Sequence, residues 1–287
     1  MVAVLPIAEA DLPDIAAFIA RGFNAGDSAG MWLSAFRQPW AEEPPNYGFM
    51  LKADGRIVGA IGAIYSDQLV HGRRERFCNI NNWYVEPDFR RHSILLLSKL
   101  LAQPELHFTN LTPRPDLIGM FLALKFRYLD DGRVTYLLNL PRLPRGDSRV
   151  LVGDDAVAAL PSAEVKVFRD HAGCAGLGQV ALGSKRDGFT HVAFFRTTIK
   201  HVPCIAVLHA GDPGVLARHL PALRSHLLMR HQAPLTRIEA RLLRARAPLA
   251  IELKRPPHNM YLSRSLQPSD VTCLYTEMAA LHARGAA

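Results

Sequence analysis

Cysteine is sparse in this chain: Cys78, Cys174, Cys204 and Cys273 are the whole complement, far apart and without a C-x-x-C pair. That spacing excludes a disulfide framework and a zinc knuckle, and buried thiols are expected instead. Long apolar runs are missing too. No stretch reaches the roughly 18 residues that a membrane span needs. Met1 to Ala10 is too short and too acidic for a secretory leader, so a cytoplasmic protein with no membrane partner is expected. The Gly-x-Ser-x-Gly elbow of many hydrolases does not occur. His219 and His226 stand two helical turns apart, where a ligand pair needs one, so no metal site is expected.

What is present is ordinary. With 49% hydrophobic and 21% charged residues over 287 positions, the composition is that of a folded globular protein with one large domain or two smaller ones. Charge is unevenly spread. Residues 1–139 hold 14 Lys and Arg against 15 Asp and Glu, a net −1, whereas residues 140–287 hold 20 against 11, a net +9, with nine of the twelve histidines. The basic half suggests an anionic partner: a nucleotide cofactor, an acidic carrier protein or nucleic acid.

In the first half Val4 to Ile7 reads as a strand. Leu12, Ile15, Phe18 and Ile19 share one face of a helix that Asp11 caps and Gly22 closes. Met31, Trp32, Leu33, Phe36 and Trp40 suggest a second helix before the Pro44-Pro45 break. The period then changes to two. Phe49 to Lys52 and Ile57 to Tyr65 flank an Asp54-Gly55 turn, and Arg76 to Val85 follows the His71-Gly72 turn, giving an antiparallel meander. After the polar stretch Glu86 to Ser93, an apolar helix runs from Ile94 to Leu101. A strand that ends in such a turn and enters a helix presents backbone N–H groups at the positive end of the helix dipole, a place for phosphate. His107 to Leu111 reads as a strand, Asp116 to Leu124 as a helix and Val134 to Leu140 as a closing strand.

This order, and the stretch Trp83-Tyr84-Val85-Glu86-Pro87-Asp88-Phe89-Arg90-Arg91-His92-Ser93-Ile94-Leu95-Leu96, resemble the GNAT superfamily of acyl-CoA-dependent N-acyltransferases, with its motif V-x-P-x-x-R-x-x-G-x-G/A. Phe121-Leu122-Ala123-Leu124-Lys125-Phe126 is similar to the family's Y-x-x-x-G-F before the last strand. The resemblance covers roughly residues 1–140. It implies an α/β (α+β) fold, a mixed and largely antiparallel twisted sheet flanked by helices. It also implies acetyl-CoA or another acyl-CoA as co-substrate and a small-molecule amine as acceptor. Arg90 would match the motif's Arg/Gln, and Arg91, His92, Ser93, Ile94 and Leu95 would surround the diphosphate. The pantetheine arm would run along the strand of Trp83, Tyr84 and Val85.

The departures are chemical. Ser93 and Leu95 stand where the motif has glycines, so side chains occupy ground over which backbone approaches pyrophosphate in the family. Phe121 replaces a tyrosine that protonates the departing thiolate, and phenylalanine has no proton to give. The family's base is a Glu or His on the strand before the motif. Counting back by two from Val85 puts Trp83, Asn81 and Asn79 on one face, and makes Asn79 and Asn81 the candidate catalytic positions. An amide takes no proton at neutral pH but orients water or a carbonyl, and it serves equally to pair strand edges.

Arg142 to Arg149, with proline, glycine and several charges, reads as a linker. The expected layout is a GNAT-like domain at 1–141, a linker at 142–150 and a basic α/β domain at 151–287. In the last, residues 164–169 alternate as a strand, Cys174 to Leu182 reads as a short helix, and His191 to Phe195 and Val202 to His209 read as strands. Val215 to Arg230 follows as a helix kinked at Pro221, Leu235 to Leu243 and Ala250 to Lys254 as strands, and Ser269 to Ala283 as a helix capped by Asp270. Strand, Pro-containing turn, apolar helix and strand occur at 77–112 and again at 202–243, which suggests a tandem protein with a diverged second copy of similar architecture. Gly211-Asp212-Pro213-Gly214 lacks the Lys and Ser/Thr of a nucleotide loop and reads as a structural turn.

Three functions follow. The first is an acyl-CoA-dependent N-acyltransferase, acetyl transfer foremost. The second takes its acyl group from an acidic acyl carrier protein, given the basic half. The third is a degenerate CoA-ester or nucleic-acid binding protein, although no aromatics interleave with the arginines, which disfavours nucleic acid.

Overall fold

Where the sequence alternates, the computed structural model pairs strands; it describes residues 2–23, 29–141, 146–243 and 247–281. β1 (Val2–Pro6) leads through a 3-10 turn, Glu9–Asp11, into α1 (Leu12–Gly22), and α2 (Ala29–Phe36) follows. Leu12, Ile15, Phe18 and Ile19 bury the apolar face of α1 against Phe36, Met50 and Ala60. Asp11 does not cap α1 through its side chain; Oδ2 accepts from the Ala8 N–H at 3.0 Å and closes the preceding turn. β2 (Gly48–Ala53), β3 (Arg56–Val70) and β4 (Arg73–Val85) form the expected meander, with Asp54-Gly55 and His71-Gly72 supplying the left-handed turn positions. A 3-10 helix, Pro87–His92, runs into α3 (Ser93–Leu101); then come β5 (His107–Asn110), α4 (Ile118–Ala123) and the short β6 (Arg127–Tyr128).

The chain continues with β7 (Arg133–Leu138), β8 (Arg149–Leu151), α5 (Gly153–Ala159), α6 (Ser162–Asp170), β9 (Leu177–Ser184), β10 (Gly188–Ile199) and β11 (Val202–Ala210). α7 (Pro213–His231), β12 (Leu235–Glu239), β13 (Ala250–Lys254), β14 (Met260–Leu262) and α8 (Glu277–Leu281) complete it. Two compact units result. The first gathers Met1–Arg127, His258–Asp270 and Tyr275–Leu281; the second gathers Tyr128–Pro257 and Val271–Leu274.

Each unit is built on a seven-stranded, largely antiparallel sheet, ordered β1-β2-β3-β4-β5-β14-β6 in one and β8-β9-β10-β11-β12-β7-β13 in the other. The two orders correspond strand by strand. The parallel pair β4/β5, joined by α3, matches the parallel pair β11/β12, joined by α7. The sixth position is antiparallel to its neighbour in both sheets. It is filled by exchange: β7 follows β6 in sequence but completes the second sheet, and β14 follows β13 but completes the first.

Several expectations are corrected. Val134 to Leu140, expected to close the first sheet, is β7 of the second, and the compact units divide after Arg127 where the sequence suggested 141. Residues 164–169 are helical, within α6: Val165 and Phe168, three apart, pack with Ala156 and Leu160. Leu177–Ser184 is a strand. Val180 and Leu182 enter one core cluster and Ala181 another, so both faces are apolar and no alternation marks it. Leu235 to Leu243 leaves the sheet at Glu239 and becomes a 3-10 turn. The last helix starts at Glu277, well past Asp270, which ends a separate 3-10 turn, Pro268–Asp270. Residues 142–145 of the expected linker and 282–283 of the expected helix lie outside the described residues. Among the described residues no helix is long and apolar enough to cross a membrane.

Candidate active site

β4 and β5 pair only through Phe77–His107, Cys78–Phe108 and Asn79–Thr109. Past that point the strands part. A cleft of about 240 Å³ opens between Ile80 to Trp83 on one side and Asn110 to Arg114 on the other, walled by Phe23, Trp32, Leu117 and Phe121. A bulge shapes it: Asn82 has φ of 49°, and the β3–β4 register shifts between Ala60 and Gly62. This overturns the period-two count, because Trp83 does not continue the face of Asn79 and Asn81. Trp83 meets Phe121 edge-on at 6.3 Å, whereas Tyr84 packs at 5.4 Å from Phe18 and 5.8 Å from Phe23. Asn81 lies over Gly62, where a Cβ would come within 2.4 Å of its Oδ1 and 2.8 Å of the Phe36 ring. Glycine at 62 makes room for that amide.

The asparagines are engaged with their neighbours. Asn79 Nδ2 donates to Thr109 Oγ1 at 3.2 Å, and its Oδ1 accepts from the Glu277 backbone N–H at 3.0 Å. Asn81 Nδ2 donates to the Asn79 carbonyl at 3.2 Å, and its Oδ1 accepts from Asn82 Nδ2 at 2.7 Å. Both are buried, and together they fix β4 where it leaves β5. Phe121, in the family's tyrosine position, is fully buried against Trp83 and Phe126. The indole N–H of Trp83 is buried with no acceptor among the described residues.

Sequence reasoning missed one acidic group. Glu277, at the start of α8, accepts from Thr112 Oγ1 through Oε1 at 3.0 Å. Its side chain is buried, and burial pushes its carboxyl up to about 7. Thr112 stands exposed in the cleft wall. No motif marks the pair, which lies 165 positions apart.

At the end of β4, the 3-10 helix Pro87–His92 begins without a side-chain cap and ends in Arg90, Arg91 and His92, with Arg91 Nε donating to His92 Nε2 at 3.1 Å. Glu86 pairs with Arg56 at 2.5 Å, and Asp88 lies in the first turn of the 3-10 helix itself. Ser93 donates its N–H to the Arg90 carbonyl, so that amide is engaged inside the 3-10 turn, where an open loop was expected. With Ser93 and Leu95 in place of the motif's glycines, the backbone winds early into helix. Ile94 and Leu95 are 41% and 44% exposed, and Leu95 is not part of the cleft wall. Val85 is buried on Gly59. Arg90, Arg91 and His92 thus stand together in the last turn of a 3-10 helix that has no side-chain cap, at the end of β4.

The second unit has the same strand-turn-helix, filled from within. Asp212 Oδ1 accepts from the N–H groups of Gly214 at 2.6 Å and Val215 at 3.2 Å, so a carboxylate of the chain itself occupies the anion position of α7. Beyond the last β11–β12 pair, Val207–Ile238, the segment Val271–Leu274 bonds to His209 of β11 and to Arg241 just after β12. Arg241 donates to the Val271 carbonyl at 3.1 Å and lies 2.8 Å from Cys273 Sγ, while Thr272 Oγ1 meets His209 Nδ1 at 3.2 Å. Among the described residues no cluster of His, Cys, Asp and Glu is placed to hold a metal ion.

The splayed parallel pair β4/β5 and the strand-to-helix turn beside it belong to a GNAT-type fold. Residues 13–95 match the model of the acetyltransferase (GNAT) family. No curated protein sequence matches the chain. Among solved structures, a GCN5-related N-acetyltransferase from Anabaena variabilis aligns with TM-score 0.59 at 9% identity, covering 91% of this chain and 72% of that one. Eis1 from Mycobacterium abscessus gives 0.54 at 10% identity over 91% and 73%. A putative acetyltransferase from Pyrococcus horikoshii gives 0.52 at 13% identity over 94% and 92%. These likenesses extend the fold over both units.

Proposed function

We propose that the first unit transfers an acyl group, acetyl foremost, from acyl-CoA to the amine of a small molecule. The diphosphate lies against Arg90, Arg91 and His92 and the turn leading to Leu95, and the pantetheine arm enters the cleft along Trp83, Tyr84 and Val85. One observation carries this: β4 and β5 part beside a basic turn free of carboxylate caps, whereas in the second unit Asp212 caps the matching turn and Val271–Leu274 bonds to His209 and Arg241 at the matching strand ends. Holding amine and thioester together in a narrow cleft supplies much of the acceleration through proximity. The amine attacks the thioester carbonyl, and the thiolate leaves and takes a proton from water, since Phe121 has none to offer.

Thiol release from acetyl-CoA, measured with and without a panel of primary amines, tests the proposal. Release that saturates in acetyl-CoA and depends on the amine is expected. Release indifferent to every amine, or no detectable acetyl-CoA binding, would contradict it.

A further inference from the structure

We infer that Glu277, delivered to the first unit by the C-terminal segment, draws the proton of the attacking amine through the hydroxyl of Thr112. The inference rests on the acyltransferase reading above and adds the proton path that this reading lacks. Thr112 is exposed in the cleft wall and donates its hydroxyl proton to Glu277 Oε1 at 3.0 Å. Its oxygen keeps a lone pair for a proton arriving from the cleft. Glu277 is 4% exposed, and its Oε2 has no hydrogen-bond partner among the described residues.

The carboxyl is anchored without being neutralised. From β4 it faces Asn79, whose Oδ1 holds the Glu277 N–H; from the segment after β5 it faces Thr112 and the Leu111 N–H. None of these is charged. Arg114, in the same cleft wall, is tied to Asp116 at 2.9 and 3.0 Å. Desolvation, the largest influence, lifts the carboxyl to about 7, where it takes and returns a proton near neutral pH.

In the step itself the N–C bond forms as the C–S bond breaks, and the electron pair leaves on the CoA sulfur. The proton shed by nitrogen goes to Thr112 Oγ1, and the Thr112 proton goes to Glu277. Afterwards the thiolate gains a proton from water and Glu277 releases its proton to water. The products are an amide and the free thiol.

The test combines substitution with pH. In the wild-type chain, kcat/KM for acetyl-CoA and an accepted amine should rise with pH through about 7 and level off. Glu277→Gln should lose that inflexion and fall about 10²–10⁴-fold, with acetyl-CoA binding retained. Glu277→Asp should recover part of the rate, and Thr112→Val, at an exposed position, should flatten the profile likewise. Difference infrared spectroscopy of wild type against Glu277→Gln should show a carboxyl titrating near neutrality. A carboxyl titrating below pH 5, or an unchanged profile in Glu277→Gln with acetyl-CoA bound, overturns the relay and leaves the acyltransferase intact. Failure of the wild-type chain to bind acetyl-CoA overturns both.

Discussion

Burial moves the acid of the first unit and the imidazoles of the second in opposite senses on the pH scale. Glu277 rises towards 7 because its anion loses water, and the cleft gains a base that neither Asn79 nor Asn81 supplies. His191 falls to about 2 and His209 to about 3, chiefly because burial disfavours the cation; His209 and then His171 add to this at His191, and His171 and then Arg241 at His209. The rings of His191 and His209 sit 5.2 Å apart, and neither nitrogen of His191 has a partner among the described residues. Both histidines are therefore neutral in the folded unit, while an unfolded histidine takes a proton near pH 6.5. Above that value the folded and unfolded forms bind protons alike. As pH falls below it the unfolded form binds more, so stability is lost down to the depressed folded values. The expected slope is about 1.4 kcal/mol per pH unit for each histidine. Urea unfolding of the second unit between pH 7 and pH 5 should show this decline, and His191→Leu should remove about one proton's worth. A stability independent of pH over that interval would contradict the burial argument.

At the scale of elements, two strand-to-helix turns of the same design behave differently because of a few side chains. Asp212 caps α7 with two hydrogen bonds, whereas the turn before α3 offers Arg90, Arg91 and His92 and no cap. Asp212→Ala should cost about 1 kcal/mol, measured as a shift in the urea midpoint of the second unit, and Asp212→Asn should recover most of it. The meander, the strand-to-helix turn after β4 and the order of the first five strands are legible, because Asp54-Gly55, His71-Gly72 and the run ending at Val85 are local signals. α6 is not, since Val165, Val167 and Phe168 satisfy a strand period and a helical period over so few residues. β9 is hidden by having two buried faces. Within the site, the strand and turn are visible and the face assignment is not: the bulge at Asn82 depends on pairing with β3, and an asparagine, though tolerant of positive φ, does not by itself mark one. Glu277 is invisible for a related reason, since its partner comes from a distant stretch of chain.

On the scale of the whole chain, the exchange of β7 and β14 means that neither sequence half encodes a complete sheet. That is why a boundary near residue 141, drawn from composition, does not coincide with the compact units. The same return of chain that carries β14 home also brings Glu277 behind the open cleft, while Val271–Leu274 bonds to His209 and Arg241 at the corresponding strand ends of the second unit. The chain thus has two sheets of one design, with the proposed acyl-CoA site in the first alone. Calorimetric titration of the full chain with acetyl-CoA measures this directly. The account predicts one site per chain, weakened about tenfold or more by joint Arg90→Ala and Arg91→Ala replacement through loss of charge-assisted phosphate contacts, and unaffected by Asp212→Ala. Two sites per chain, or one whose affinity ignores Arg90 and Arg91, would contradict it.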